Sequence, residues 1–567
     1  MAGPFDVSVV TNAELRLADG VTLRSDVYTP DADGPFPVVI CRTPYDKLAA
    51  RNVEFARTIA ARGYIAVVQD VRGTHASDGD FVWHYLAASV DVEAADGYAC
   101  VEWAAKLPKS DGRVGTFGVS YAAWTSWVLL KSRPPSLAAM QASNITASNR
   151  HMNFGITETG RRLQWTYAMG ASLRGRAGDT RWPSTVADGE ADWMTRLRDK
   201  WTWRLPLSSI PDRVFGQLAS DQHVYMGEQE KELWGFDRFY GNADLPIFVQ
   251  TGWWDRFSLS VSHYEGLRND GPPAFAARHR LVVGPWPHFP LNYRSDIGPV
   301  DYGPDAAASY PDMVADWYDF EFKGRENETA SGARVRLFIL NEGWRGFETW
   351  PPPGLQEVSW YLSSGGSANT PGGDGALVAE APADEIPDTY SYDPADPVMS
   401  LMGSDSQYLP VDQKANAHRD DILVYRSEPL ERDMVLAGPL KIELWAASDR
   451  RDTDFCVRLI EERAEGIAIN ISGGIMRARY RNGYDTPKLL EPGVPERFDI
   501  VMLPVGIRFQ AGSRLRIDVT SSDFPAYDRN HNTGGDDWNE STLLVAQQTV
   551  FHDAARPSRL VLPVLPG

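Results

Sequence analysis

The chain has 567 residues, beyond the roughly 250 to 300 at which single hydrophobic cores stop growing, so two or three domains are expected. Apolar residues make up 43 % and charged residues 23 %, which excludes a disordered chain. With 56 basic against 76 acidic residues, a net charge of −20 disfavours nucleic acid and anionic membranes as partners.

At the N-terminus, Met1 to Asp26 carries no basic segment followed by an apolar one, and no apolar run approaches the roughly 18 residues of a membrane span. The three cysteines, Cys41, Cys100 and Cys456, are too scattered for a zinc module or disulfide framework. Both observations lead to the expectation of a cytoplasmic protein. From Val9 to Tyr28, Leu15 and Leu17 before Ala18-Asp19-Gly20, with Val21 and Leu23 after it, spell a β-hairpin. Apolar runs follow at 36–40 and 64–69, separated by a helical stretch near 53–62. Continuous β-branched runs alternating with helical segments indicate parallel strands buried on both faces. The rhythm continues with a helix near 91–106, a strand at 114–117, a helix at 121–130 and a strand at 138–142.

Residues 146–240 break this alternation. They contain Trp165, Trp182, Trp193, Trp201, Trp203 and Trp234 with no clear buried strand, as an inserted helical cap would. Strand signals return at 246–250 and 280–283. Beyond Pro351-Pro352-Pro353-Gly354, a Gly, Pro and Asp-rich stretch leads into short alternating segments such as 440–444 and 515–519, which suggest a β-sandwich or jelly roll. The expected architecture is an α/β-hydrolase core (1–145 and 241–350), a helical cap (146–240) and a C-terminal jelly-roll domain (351–567).

Within Val114-Gly115-Thr116-Phe117-Gly118-Val119-Ser120-Tyr121-Ala122, a buried strand passes into a helix through a turn bearing a serine, the context of a nucleophile elbow. Ala122 stands where the motif usually has its last glycine. Gly170-Ala171-Ser172 has a similar spelling but no strand before it. A serine hydroxyl needs a base, oriented by a third group, and in this architecture the order is Ser, Asp or Glu, His. The two resumed strands end at Trp253-Trp254-Asp255 and Trp286-Pro287-His288, so Ser120, Asp255 and His288 all fall at one sheet edge. His279 precedes its strand and so lies on the order of 17 Å away from that edge. Asp70 comes before the serine and reads as structural. The backbone N–H of Tyr121 is the expected first oxyanion donor. The loop Cys41-Arg42-Thr43-Pro44-Tyr45-Asp46-Lys47 should supply a second, and Tyr45 there is either that donor or a packing residue.

The segments Arg42 to Lys47, Gln69 to Gly73, Ser110 to Gly115, Gly118 to Tyr121, Gly252 to Asp255 and Gly284 to His288 resemble the family that joins bacterial cocaine esterase, α-amino acid ester hydrolases and X-prolyl dipeptidyl aminopeptidases. Asp452 to Phe455, Ser521 to Pro525 and Asp528 to Gly534 are similar to its non-catalytic jelly-roll domain. The resemblance implies the three-domain plan and a Tyr45 hydroxyl acting on the oxyanion. In the amino ester branch, carboxylates follow the triad aspartate by two and three residues; here those positions are Phe257 and Ser258. That departure argues against an amino acid ester. Glu158 and cap aspartates remain as acidic partners for a peptide N-terminus. Arg256 suggests recognition of an acidic acyl group, against the plainer reading of a structural ion pair. Trp165, Trp254 and Trp286 are candidates to wall the substrate pocket, Trp165 and Trp286 the better two, against the plainer reading of core packing.

The function expected is cleavage of a carboxylic ester through an acyl-enzyme, without metal or organic cofactor. The rivals are X-Pro dipeptidyl-peptidase or amide acylase chemistry on the same triad, and a jelly-roll binding module with an inactive core. A small-molecule ester or amide is the expected partner, and a homodimer the one protein assembly considered.

Overall fold

Hydrophobic strand runs separated by helices build a ten-stranded sheet in the computed structural model. The structure describes residues 3–150, 154–179, 181–227, 232–288, 291–369, 372–401, 408–416 and 418–566. The first eight strands are β1 (Val7–Arg16), β2 (Thr22–Pro30), β3 (Phe36–Thr43), β4 (Ile65–Asp70), β5 (Ser110–Thr116), β6 (Leu137–Ser143), β7 (Ile247–Trp254) and β8 (Arg280–Pro287). They lie in the order β1-β2-β4-β3-β5-β6-β7-β8, and strands Val335–Ile339 and Gly343–Phe347 complete the far edge. The hairpin pairs Leu15 with Leu23. From β4 to β8 the neighbours are parallel, and β3, β4 and β7 are buried along their whole length. Helices on both faces exclude water from such strands, which is why they spell unbroken apolar runs.

The strand order reverses beside β3, which has β4 on one side and β5 on the other. Loops leaving neighbouring strands in opposite directions open a crevice there, the place where open α/β sheets bind ligands. Tyr45 follows β3 and Ser120 follows β5, so the two flank this point.

Several boundaries differ from the sequence reading. β5 starts at Ser110, because the part-exposed Ser110 to Arg113 give no apolar signal. β7 and β8 run on to Trp254 and Pro287, through Gly252 and through Gly284-Pro285, residues that local propensity reads as stops. Here Gly252 serves close strand packing: a Cβ on it would lie 2.0 Å from the Trp286 carbonyl oxygen. The helix after Ser120 is split into Tyr121–Trp127 and Leu129–Ser132.

Between β6 and β7 the chain forms helices Thr159–Arg176, Val186–Asp192, Arg198–Thr202 and Ala219–Gly227, with no strand among the described residues. The C-terminal part forms an eleven-stranded sheet system, antiparallel except for one bridge, Ala376 to Arg426. Its long strands Met434–Ser448 and Glu496–Phe509 pair from Met434↔Phe509 to Ala446↔Glu496. This β domain grips the rest directly. Leu340 N–H donates to Gly506 (2.8 Å) beside the core sheet, and Gly160 N–H donates to Pro525 (2.9 Å) beneath the cap. Among the described residues no helix is long and apolar enough to cross a membrane.

Candidate active site

Ser120 occupies φ 60°, ψ −120°, a backbone region that costs a non-glycine residue about 1 to 3 kcal/mol and persists only where surroundings enforce it. Here β6 enforces it: Ser120 N–H donates to the Ser143 carbonyl, and Ser143 N–H to that of Gly118, both at 2.9 Å. The turn is tight enough that a Cβ on Gly118 would sit 2.4 Å from the Ala122 carbonyl carbon. Gly118 therefore makes the room that the alanine at 122 occupies, which explains how the elbow tolerates its missing second glycine. Tyr121 is the first residue of the following helix, so its N–H has no intrahelical acceptor.

The end of β8 delivers His288 to the end of β7. His288 Nδ1 lies 2.8 Å from Asp255 Oδ2, with Asp255 fully buried and His288 nearly so. Phe257 N–H donates to the other carboxylate oxygen, Oδ1, at 2.8 Å, locking the acid in place. A stacked Phe257 ring, 4.8 Å away, covers the imidazole. With Nδ1–H donating to the carboxylate, Nε2 is left as the basic nitrogen. Ser120 and His288 open into the same cavity of about 720 Å3.

Tyr45 also lines this cavity. Its hydroxyl oxygen accepts from Trp165 Nε1 at 3.0 Å, so its own proton remains available to a substrate oxygen. Burial pushes the phenol pKa up, which keeps that proton on the oxygen at neutral pH. The ring stands edge-on to Tyr121 at 6.4 Å. Among the described residues no three or more His, Cys, Asp or Glu side chains gather as metal ligands.

Of the four residues expected to bind substrate, only Trp165 lines the cavity. Trp254 is fully buried, stacked near Tyr302 and Tyr408. Trp286 stacks on Tyr293 at 4.4 Å and donates to the Ala306 carbonyl at 2.7 Å. Both belong to the packing behind the site, because a parallel sheet buries side chains on each face right up to its strand ends. Arg256 points away into an ion pair with Glu158, the plainer of its two expected roles. Glu158 is held by Arg161 as well, so the carboxylate kept in mind for a peptide N-terminus is already occupied. Asp70 is likewise structural, 2.9 Å from Lys47 Nζ.

Sequence reasoning passed over His84, Phe257, Arg161 and Arg162 as cavity residues. Phe257 had a signal, two positions after Asp255, where it was noted only for not being acidic. His84 lies in an irregular loop and the two arginines on a cap helix, and no motif marks them.

A family model described as X-Pro dipeptidyl-peptidase (S15 family) matches residues 19–290. A second, the X-Pro dipeptidyl-peptidase C-terminal non-catalytic domain, matches residues 327–561. Cocaine esterase of Rhodococcus sp. (strain MB1 Bresler) is 33% identical, over 98% of this chain and 99% of that protein. Among solved structures, an aminopeptidase from a marine sediment Thaumarchaeota archaeon superposes with a TM-score of 0.78 at 21% identity, covering 100% of this chain and 97% of the other. An α-amino acid ester hydrolase does so with a TM-score of 0.75 at 22% identity, covering 100% and 98%. At those identities the two structures establish the shared fold, a hydrolase core with a C-terminal β domain.

Proposed function

Since this chain belongs to the family of cocaine esterase and its residues 19–290 match the X-Pro dipeptidyl-peptidase (S15 family) model, we propose that it is a serine esterase acting through Ser120, His288 and Asp255. Ser120 Oγ attacks the ester carbonyl as its proton passes to His288 Nε2, and Asp255 supports the imidazolium. The Tyr121 N–H and the Tyr45 O–H hold the oxyanion. Collapse of the tetrahedral intermediate expels the alcohol with the proton from His288. Water, deprotonated by the same nitrogen, then releases the acid and restores Ser120.

The observation that carries this reading is the 2.8 Å contact between buried Asp255 and His288, which lines a cavity that also receives the strained Ser120. An inactive core gives no reason to maintain that strain. Ester rather than X-Pro chemistry is favoured by the cap: Glu158, the cap glutamate that could have met a substrate amine, is enclosed by arginines. Three buried, unpaired cysteines support a reducing, cytoplasmic location.

Turnover of neutral aryl esters and X-Pro anilides by the purified chain tests the assignment. Faster ester turnover, abolished in Ser120→Ala, is expected. Preferential anilide turnover would move the assignment to peptide release, and unchanged activity in Ser120→Ala would remove the mechanism.

A further inference from the structure

The charge inside the cavity opposes that of the molecule. The chain as a whole carries −20, yet the charged residues lining the cavity are Arg51, Arg161, Arg162 and Arg176 against Asp46 and Glu190. The two acids sit toward solvent, Asp46 half-buried and Glu190 exposed, whereas Arg161 and Arg162 are buried. Buried guanidinium groups are ordinarily matched by carboxylates, because an unmatched charge loses its hydration without compensation.

Here the matching is incomplete among the described residues. Arg161 Nε and Nη2 reach Glu158 Oε2 at 2.9 and 2.7 Å. Arg256 takes the other oxygen of the same carboxylate. Arg162 approaches Oε2 only to 4.0 Å, beyond hydrogen-bond distance, and its Nε and Nη2 have no hydrogen-bond partner. Three guanidinium groups thus converge on one carboxylate. Arg162 rests on aromatic faces instead, 3.7 Å from the Tyr85 ring centre and 5.2 Å from that of Tyr225. Those faces steady a cation but leave its Nε and Nη2 donors unused. The adjacent His84 supplies no negative charge.

We propose that the cavity receives an ester bearing a carboxylate, and that Arg162, backed by Arg161, binds that group. The proposal rests on Ser120 being the nucleophile of the same cavity. A substrate carboxylate supplies the missing counter-charge, and its two oxygens match the parallel N–H donors of a guanidinium. The site so described selects substrates by charge as well as by shape.

Matched esters test this on the intact wild-type chain. On the acyl side, 4-nitrophenyl hydrogen adipate is compared with its methyl ester; on the alcohol side, 4-butyryloxybenzoate is compared with its methyl ester. In one arm the carboxylate substrate is expected to have a kcat/KM about tenfold or more above its neutral partner, and Arg162→Met should bring that ratio close to one. A ratio at or below one in both arms, with the neutral esters still turned over, overturns the proposal and leaves the esterase reading intact. Failure of every ester together with failure of Ser120 to react with a fluorophosphonate brings down both. A second measurement needs no variant: adipate, but not adipamide, should slow fluorophosphonate labelling of wild-type Ser120. Equal effects of the two overturn the proposal even if Arg162→Met does not fold.

Discussion

Replacing Glu158 by Gln removes the one carboxylate on which Arg161, Arg162 and Arg256 converge. Burial alone would raise the Glu158 pKa, but the arginines, Arg161 foremost, hold it down at about 2 against an ordinary 4.5. That difference corresponds to roughly 3 kcal/mol in favour of the folded, charged form. Breaking a buried ion pair from one side costs about 3 to 5 kcal/mol, which agrees. The folded pKa lies below the unfolded one. The stabilisation is therefore complete above pH 4.5 and is lost as pH falls toward 2. Urea unfolding followed by tryptophan fluorescence should show Glu158→Gln less stable by about 3 kcal/mol at pH 7, with the deficit shrinking below pH 4.5. Because Glu158 ties the cap helix to Arg256, the residue after Asp255, ester turnover should fall in parallel. A deficit under about 0.5 kcal/mol, or one unchanged by acid, would refute the reasoning.

Three further outcomes are expected. Tyr45→Phe should lower kcat about 100- to 1000-fold with KM nearly unchanged, as loss of an oxyanion donor does; steady-state kinetics on a neutral aryl ester checks it. Gly118→Ala should abolish activity and reduce folded yield, because the new Cβ meets the Ala122 backbone at 2.4 Å, and circular dichroism beside an ester assay reads both effects. Asp528 is buried where the β domain meets the cap, its N–H donating to Thr157, and burial raises its pKa from 3.8 to about 7. The native state keeps that proton while the unfolded chain releases it, so stability falls as pH rises from 3.8 to about 7, by up to roughly 4 kcal/mol. Asp528→Asn should flatten this segment of the pH–stability curve measured by thermal melts.

The sheet was legible because fully buried parallel strands leave continuous apolar runs that little else imitates. The placement of Asp255 and His288 followed from it, since the residue after a strand end lies at the sheet edge whatever its side chain does. What a side chain does beyond that edge was not legible. Trp254 and Trp286 have the same local spelling as pocket walls, yet the sheet is covered on both faces and both rings are packed behind the site. The partner of Arg256 lies 98 residues earlier in the chain, a separation no local pattern bridges. Arg161 and Arg162 carry no local mark of burial; only the fold, which presses that helix over the crevice, makes them buried.

The central claim is that Ser120 is the nucleophile, and covalent labelling with a fluorophosphonate followed by peptide mass mapping tests it most directly. Ser172 serves as an internal control, since it lines the same cavity with a similar sequence spelling but sits within a helix. The account predicts one adduct per chain on Ser120, absent in Ser120→Ala and formed far more slowly in His288→Gln. An adduct on Ser172, or no adduct on an enzyme that still hydrolyses esters, would contradict it.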